Sequence, residues 1–124
     1  MADNKHPLAD SPVAAILPAV DLERAKRFYT EKLGLRLADA PNPGVAMLEC
    51  GQGTVLGLYQ RDTPTKADHT VAGWRVDHIE EVVHTLGERG VAFEQYDLPG
   101  LKTDERGIAV LGAAKSAWFK DSEG

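Results

Sequence analysis

Few residues in this chain combine the type and the spacing that chemistry needs. There are four histidines, His6, His69, His78 and His84, and one cysteine, Cys50. Two helical metal ligands share a face only when they stand three or four residues apart. His78 and His84 are six apart and read as solvated side chains on a helix. His6 falls in an N-terminal tail, and His69 in a loop just ahead of a strand. Cys50 has no second cysteine for a disulfide and no histidine placed to activate it, so it reads as a core residue. The stretch "GQG" at 51–53 invites comparison with a phosphate loop. A strand pattern follows it rather than a helix, which makes it a turn.

Composition narrows the partners. The 124 residues fit one ordinary domain, or two small halves that share a core. A net charge of −5, with basic residues scattered among acids, argues against nucleic acid, whose phosphates demand clustered Lys and Arg. No apolar run approaches the roughly 18 residues of a membrane span. The opening "MADNKHPLADSP" has no apolar core of a signal peptide, and residues 1–12 read as a flexible, proline-punctuated tail. With a lone cysteine as well, a cytoplasmic protein is expected.

The elements that would position any site come twice. "PAVDLERAKRFYTEKLG" at 18–34 and "WRVDHIEEVVHTLGERG" at 74–90 both open on Val-Asp and close on Gly thirteen residues after the Asp. Asp21 and Asp77 read as N-caps, with Glu80 completing a capping-box pattern in the second copy. Leu22, Ala25, Phe28, Tyr29 and Leu33 form one helical apolar face, and Ile79, Val82, Val83 and Leu86 form the other. Apolar runs at 13–20 and 71–76 precede the two helices as strands. After the first helix come "LRLADA" and a hairpin of "VAMLEC" and "TVLGLYQ". After the second come "VAFEQYD", the loop "LPGLKTDERG", and strands "IAVLG" and "SAWFKD". The expected fold is α+β, with two βαβββ modules at 13–62 and 71–124 joined by a linker at 63–70. One such module is too small to bury both its faces, so the two sheets should curl into one cup with the helices outside. A cleft between halves is where a ligand would bind.

The string "VDLERAKRFYTEKLGLRL" together with the terminal "WFKDSEG" resembles the vicinal oxygen chelate superfamily of glyoxalases, extradiol dioxygenases and the fosfomycin- and bleomycin-resistance proteins. The resemblance spans residues 13–124 and implies the paired-module fold with a cup-shaped pocket. It does not fix the chemistry, since one fold carries many functions. In the metal-dependent members it implies ligands seven residues before the first helix Asp, six before the second, and on the fourth strand. Those positions are Ala14, Val71 and Gly57 here. None offers a donor atom, so no metal or other cofactor is expected. The last ligand of such members follows the stretch matching "DSEG", where this sequence stops. The second half therefore counts one strand short: either the chain continues past Gly124, or it leaves an open edge, which predicts a homodimer with strand exchange as one form of it.

If those ligand positions face the cup, strand alternation puts their neighbours there too. The expected ligand-binding set is Met47, Glu49, Val55, Gly57, Tyr59, Val71, Arg75 and Trp118, joined by Ile16, Pro18, Gly73 and Ser116. Trp74, on the other face, should pack under the second helix. The set is mostly apolar, with Glu49, Arg75, Tyr59 and the Trp118 indole as its polar groups. It suits a small hydrophobic or aromatic compound, with Arg75 able to pair an anionic group. Glu49 is the one candidate catalytic residue, as a base if burial raises its pKa. Plainer readings stay open: Glu49 and Arg75 paired with each other or at a rim, Tyr59 and Trp118 as core or dimer contacts. The loop carrying Tyr96, Lys102 and Thr103 reads either as a lid or as solvated chain. The expected function is metal-independent binding, by sequestration or carriage as in bleomycin-resistance proteins. The alternative is a lyase, isomerase or dioxygenase of the glyoxalase type, and the vacated ligand positions weigh against it.

Overall fold

The computed structural model describes residues 7–9, 11–40 and 42–124. His6 and most of the expected tail lie outside the described residues.

The first half forms as its pattern dictates. β1 (Ala15–Ala19) leads to α1 (Leu22–Arg27), and β2 (Arg36–Ala38), β3 (Val45–Glu49) and β4 (Val55–Gln60) follow. Asp21 caps α1: its carboxylate accepts the Arg24 N–H at 3.0 Å. Beyond Arg27 the helix widens into a π-turn over Phe28–Lys32, where the Leu33 N–H reaches the Phe28 carbonyl at 3.2 Å. The widening lets the consecutive residues Phe28 and Tyr29 both turn inward. Gly34, at φ +78, ends the helix in a conformation other residues avoid.

The four strands order β1-β4-β3-β2, with β1 parallel to β4 and the rest antiparallel. Alternation sends Leu17, Ala19, Ala46, Leu48, Leu56 and Leu58 to the helix side, where they pack with Leu22, Ala25, Phe28 and Tyr29 as the main core. Cys50 packs against the same cluster, half-buried, as its parity predicts.

The second half repeats the order with thinner structure. α2 (Ile79–Glu88) is followed by a short hairpin of β5 (Asp97–Leu98) and β6 (Leu101–Lys102), then by the hairpin of β7 (Ile108–Leu111) and β8 (Ala114–Ala117). Single bridges join Phe93 to Phe119 and Thr103 to Ala109. Here the structure departs from the sequence reading in three places. The stretch 71–76 is in no ladder, because no described strand stands beside it as β4 stands beside β1; a strand without a partner gains nothing from extension. The expected strand 91–97 is reduced to the Phe93 bridge and the start of β5. The helix begins one residue late: His78, not Asp77, holds the N-cap position, and it makes no side-chain cap.

The second core is correspondingly small: Val83, Val91, Ile108 and Ala109 are its buried apolar residues, and Ile79, Val82 and Leu86 are only half covered. Much of its support comes from the first half. Phe119 contacts the rings of Phe28, Phe93 and Trp74 at centroid distances of 6.3, 5.7 and 6.2 Å. No helix among the described residues is long and apolar enough to cross a membrane. The architecture is α+β with an open sheet.

Candidate functional site

The face of the first sheet opposite α1 is uncovered by its own helix. Alternation gives it Ile16 and Pro18 from β1, Met47 and Glu49 from β3, and Val55, Gly57 and Tyr59 from β4. At its centre Ile16 stands directly opposite Gly57 in the parallel ladder. A Cβ on residue 57 would come within 2.6 Å of Ile16 Cδ1 and 3.5 Å of Met47 Sδ. Glycine is therefore what allows Ile16 to lie across the floor of this face. At one end, Glu49 lies opposite Arg36 across the β2–β3 ladder. At the other, the Arg61 guanidinium sits 5.9 Å from the Tyr59 ring centroid and donates to the Tyr59 hydroxyl at 3.3 Å.

Between the halves opens a cavity of about 1640 Å³, wider than a typical pocket for a small compound. Ile16 and Pro18 form part of its wall, with Val71, Gly73 and Arg75 from the unpaired stretch, the apolar face of α2, and Ser116 and Trp118 beyond β7. Tyr96 meets the Trp118 ring edge-on at 5.7 Å and completes an aromatic corner. The expected binding residues thus fall into two groups. Val71, Arg75 and Trp118 line the cavity. Met47, Glu49, Val55, Gly57 and Tyr59 share the adjoining sheet face through Ile16 and Pro18 but are not on the cavity wall.

The neighbouring polar groups also find their places. Among the described residues Glu49 and Arg75 form no ion pair with each other, and both are exposed. His69 lies on the cavity wall, while His84 is exposed and pairs with Glu88 at 2.7 Å. The segment read as a loop, 98–107, is held more firmly than a lid. Thr103 is buried, its N–H donates to the Tyr96 carbonyl at 2.9 Å, and its hydroxyl accepts the Tyr96 N–H at 2.8 Å. Asp104 then accepts from Arg106 at 2.7 Å and from the Ile108 N–H at 3.0 Å, and these donors hold its carboxyl below the usual range. Trp74, expected under α2, instead lines the cavity with its neighbours: it stacks on Phe119 and stays 40% exposed.

A fastening not visible in the sequence joins the halves beside the cavity. The Tyr29 hydroxyl donates to Asp121 at 2.7 Å. Burial first, and this hydrogen bond second, push the Tyr29 pKa far up. Glu123 accepts from Arg24 at 2.6 Å and from the Val20 N–H at 2.7 Å. Burial works to raise the Glu123 carboxyl, but the Arg24 and Val20 donors outweigh it and hold it below its ordinary value. Gln60 adds to the same corner, donating to the Val20 carbonyl and accepting the Leu22 N–H at 3.3 Å. A "DSEG" terminus facing a "FY" helix carries the donors and acceptors for this, but nothing in their spacing pairs them.

A divalent ion fits poorly at the positions the resemblance points to. Ala14, Gly57 and Val71 carry no donor atom, and Ile16 covers the space above Gly57. Among the described residues no three His, Cys, Asp or Glu side chains gather into a metal-holding group.

Comparison with known proteins bears on the fold. A family model described as bleomycin resistance protein-like N-terminal matches residues 13–51, from β1 to the β3–β4 turn. No curated protein matches the chain at a significant level. Among solved structures, TnmS3, an antibiotic binding protein from Streptomyces sp. CB03234, is 27% identical with a TM-score of 0.60, over 93% of this chain and 89% of that one. A member of the glyoxalase/bleomycin resistance protein/dioxygenase superfamily from Sphaerobacter thermophilus is 23% identical with a TM-score of 0.64, over 92% and 90%. TioX from Micromonospora sp. ML1 is 18% identical with a TM-score of 0.60, over 92% of each chain. The last two show a shared fold. The match over the first module and the likeness to TnmS3 support the resemblance of this chain to the vicinal oxygen chelate superfamily.

Proposed function

We propose that this protein binds a small hydrophobic or aromatic organic compound between its halves, without a metal ion, and sequesters or carries it in the cytoplasm as a homodimer. The observation that carries this reading is the pairing of Ile16 with Gly57. Where metal-dependent relatives need a donor, this chain has a bare backbone covered by an aliphatic side chain. The Trp118–Tyr96 corner supplies flat apolar surface beside it, and Arg75 supplies a charge for an anionic substituent. The likeness to an antibiotic binding protein supports the ligand class.

A thermal-shift screen against antibiotics and aromatic metabolites, run with and without a chelator, tests it. Binding raises apparent stability by mass action, by roughly 2.7 kcal/mol when ligand stands at a hundred times its Kd. The expected result is a shift that the chelator leaves intact. A shift that appears only with an added divalent ion would overturn the metal-free reading. A screen in which no compound of these classes binds would overturn the ligand class.

A further inference from the structure

The two hairpins of the second half end side by side. Leu98 pairs with Leu101 across the β5–β6 hairpin, and Leu111 pairs with Ala114 across the β7–β8 hairpin. The bridge from Thr103 to Ala109 sets β6 antiparallel to β7. Two residues on in that register, Leu101 comes opposite Leu111. Residues opposite one another in an antiparallel ladder share a face. Leu98, Leu101, Leu111 and Ala114 therefore form one apolar row across four strands. Asp97, Lys102, Val110 and Lys115 form the neighbouring row on the other face.

The apolar row carries no charge and meets water: Leu98 is 56% exposed and Leu111 40%. A single exposed leucine is ordinary, but this row runs on from the cavity. Two of its members, Leu101 and Ala114, belong to the cavity wall. Ala114 is also in step with Ser116 and Trp118, so the row and the Trp118–Tyr96 corner lie on one face. The cavity, at about 1640 Å³, exceeds the roughly 300–1,000 Å³ of a drug-sized pocket. A single ring system at the aromatic corner leaves much of that space, and the whole row beyond it, uncovered.

We infer that the row seats an aliphatic arm of the ligand, so that the compounds this protein takes join a flat aromatic head to a hydrocarbon chain. The inference rests on the binding reading above and adds a second subsite to it. The head lies at Trp118 and Tyr96, with Arg75 for an anionic group. The arm leaves the cavity over Leu101 and Ala114 and lies along Leu111 and Leu98. It covers leucine surface that water otherwise meets, and the gain follows the apolar area removed. The row on the other face offers no such seat, because an apolar arm there would strip water from Asp97, Lys102 and Lys115.

Calorimetric titration of the full chain with para-alkylbenzoates, from benzoate itself to para-octylbenzoate, tests this. A fully buried methylene strengthens binding about fourfold, and an arm covered on one side should gain about twofold per carbon. Leu98→Ser and Leu111→Ser, each at an exposed position, should flatten that slope, with circular dichroism reporting that each variant folds. Val110→Ser, at a position 67% exposed on the other face, should keep the wild-type slope. If no member of the series binds, the ligand class and the arm fall together. If benzoate binds and affinity does not rise with chain length, the arm alone is overturned. A slope that both leucine variants keep, or that Val110→Ser loses equally, also overturns the arm alone.

Discussion

The Tyr29 hydroxyl, on the first helix, donates at 2.7 Å to the carboxylate of Asp121, 92 residues further along the chain. The bond is partly buried and ties the two halves at the inner end of α1. Tyr29→Phe should cost about 1–2 kcal/mol in chemical denaturation, the value of a hydrogen bond to a charged group left with one partner unpaired. The pH dependence has a definite sign. The folded pKa lies above the ordinary 10.0, so the stability Tyr29 contributes is complete below that pH and is lost as pH rises beyond it. Denaturation midpoints between neutral pH and pH 11 should fall at the alkaline end for wild type and fall less for Tyr29→Phe.

Glu123 gives the opposite sign. Its carboxyl is held below the ordinary 4.5, so its contribution is present above that pH and is lost as pH falls through the depressed folded value. Asp104 and Glu80 are depressed in the same direction, by Arg106 and Lys115 respectively, and add to the acid limb. Glu123→Gln should lower stability at neutral pH by about 1 kcal/mol, because the Arg24 side is half-exposed, and should make the acid limb shallower. An unchanged acid limb in the variant would remove Glu123 from the account.

The contact between Ile16 and Gly57 predicts a coupled pair. Gly57→Val places its Cβ within 2.6 Å of Ile16 Cδ1, with Met47 close behind, and should cost about 1–3 kcal/mol. Ile16→Ala vacates the space and should return part of that cost in the double variant. The coupling is read from a double-mutant cycle in urea, and additive effects would show that Ile16 does not fill the space over Gly57.

Phe119 should be the most sensitive aromatic position of the second half. Its ring meets Phe28, Phe93 and Trp74, so Phe119→Ala removes three contacts at once. A loss of about 2–4 kcal/mol is expected, slightly under that of a fully buried Phe, because the residue is half-buried. Trp74 fluorescence should shift to the red in the folded variant as its stacking partner disappears.

The first half was legible because every level of its sequence agreed. Asp21 caps, Phe28 and Tyr29 share a face with Ala25, and the apolar alternation of β3 and β4 is unbroken across the turn at Gln52. The shared face of Met47, Glu49, Val55, Gly57 and Tyr59 follows from that alternation alone. The second half was less legible because its elements depend on partners rather than on propensity. Residues 71–76 read as a strand but have no described strand beside them, and Asp77 stands where a cap belongs while the helix starts after His78. The stretch read as a free loop contains Thr103 and Asp104, whose side-chain hydrogen bonds build a hairpin that no apolar pattern signals. Arg61 over Tyr59 is two residues away on the same strand parity and was within reach of the sequence. The pairing of Tyr29 with Asp121, across the two modules, was not.

The meagre core of the second half has a consequence for how the molecule comes apart. Val83, Val91, Ile108 and Ala109 bury too little to sustain that half alone, and Phe119, Asp121 and Glu123 lean on residues of α1 and its flanks. Calorimetry should therefore record a single melting event, with van 't Hoff and calorimetric enthalpies in agreement, rather than two. A compound seated between the halves would then stiffen one cooperative unit, and its occupancy would be readable from hydrogen exchange at amides of β3 and β4, well away from the cavity wall.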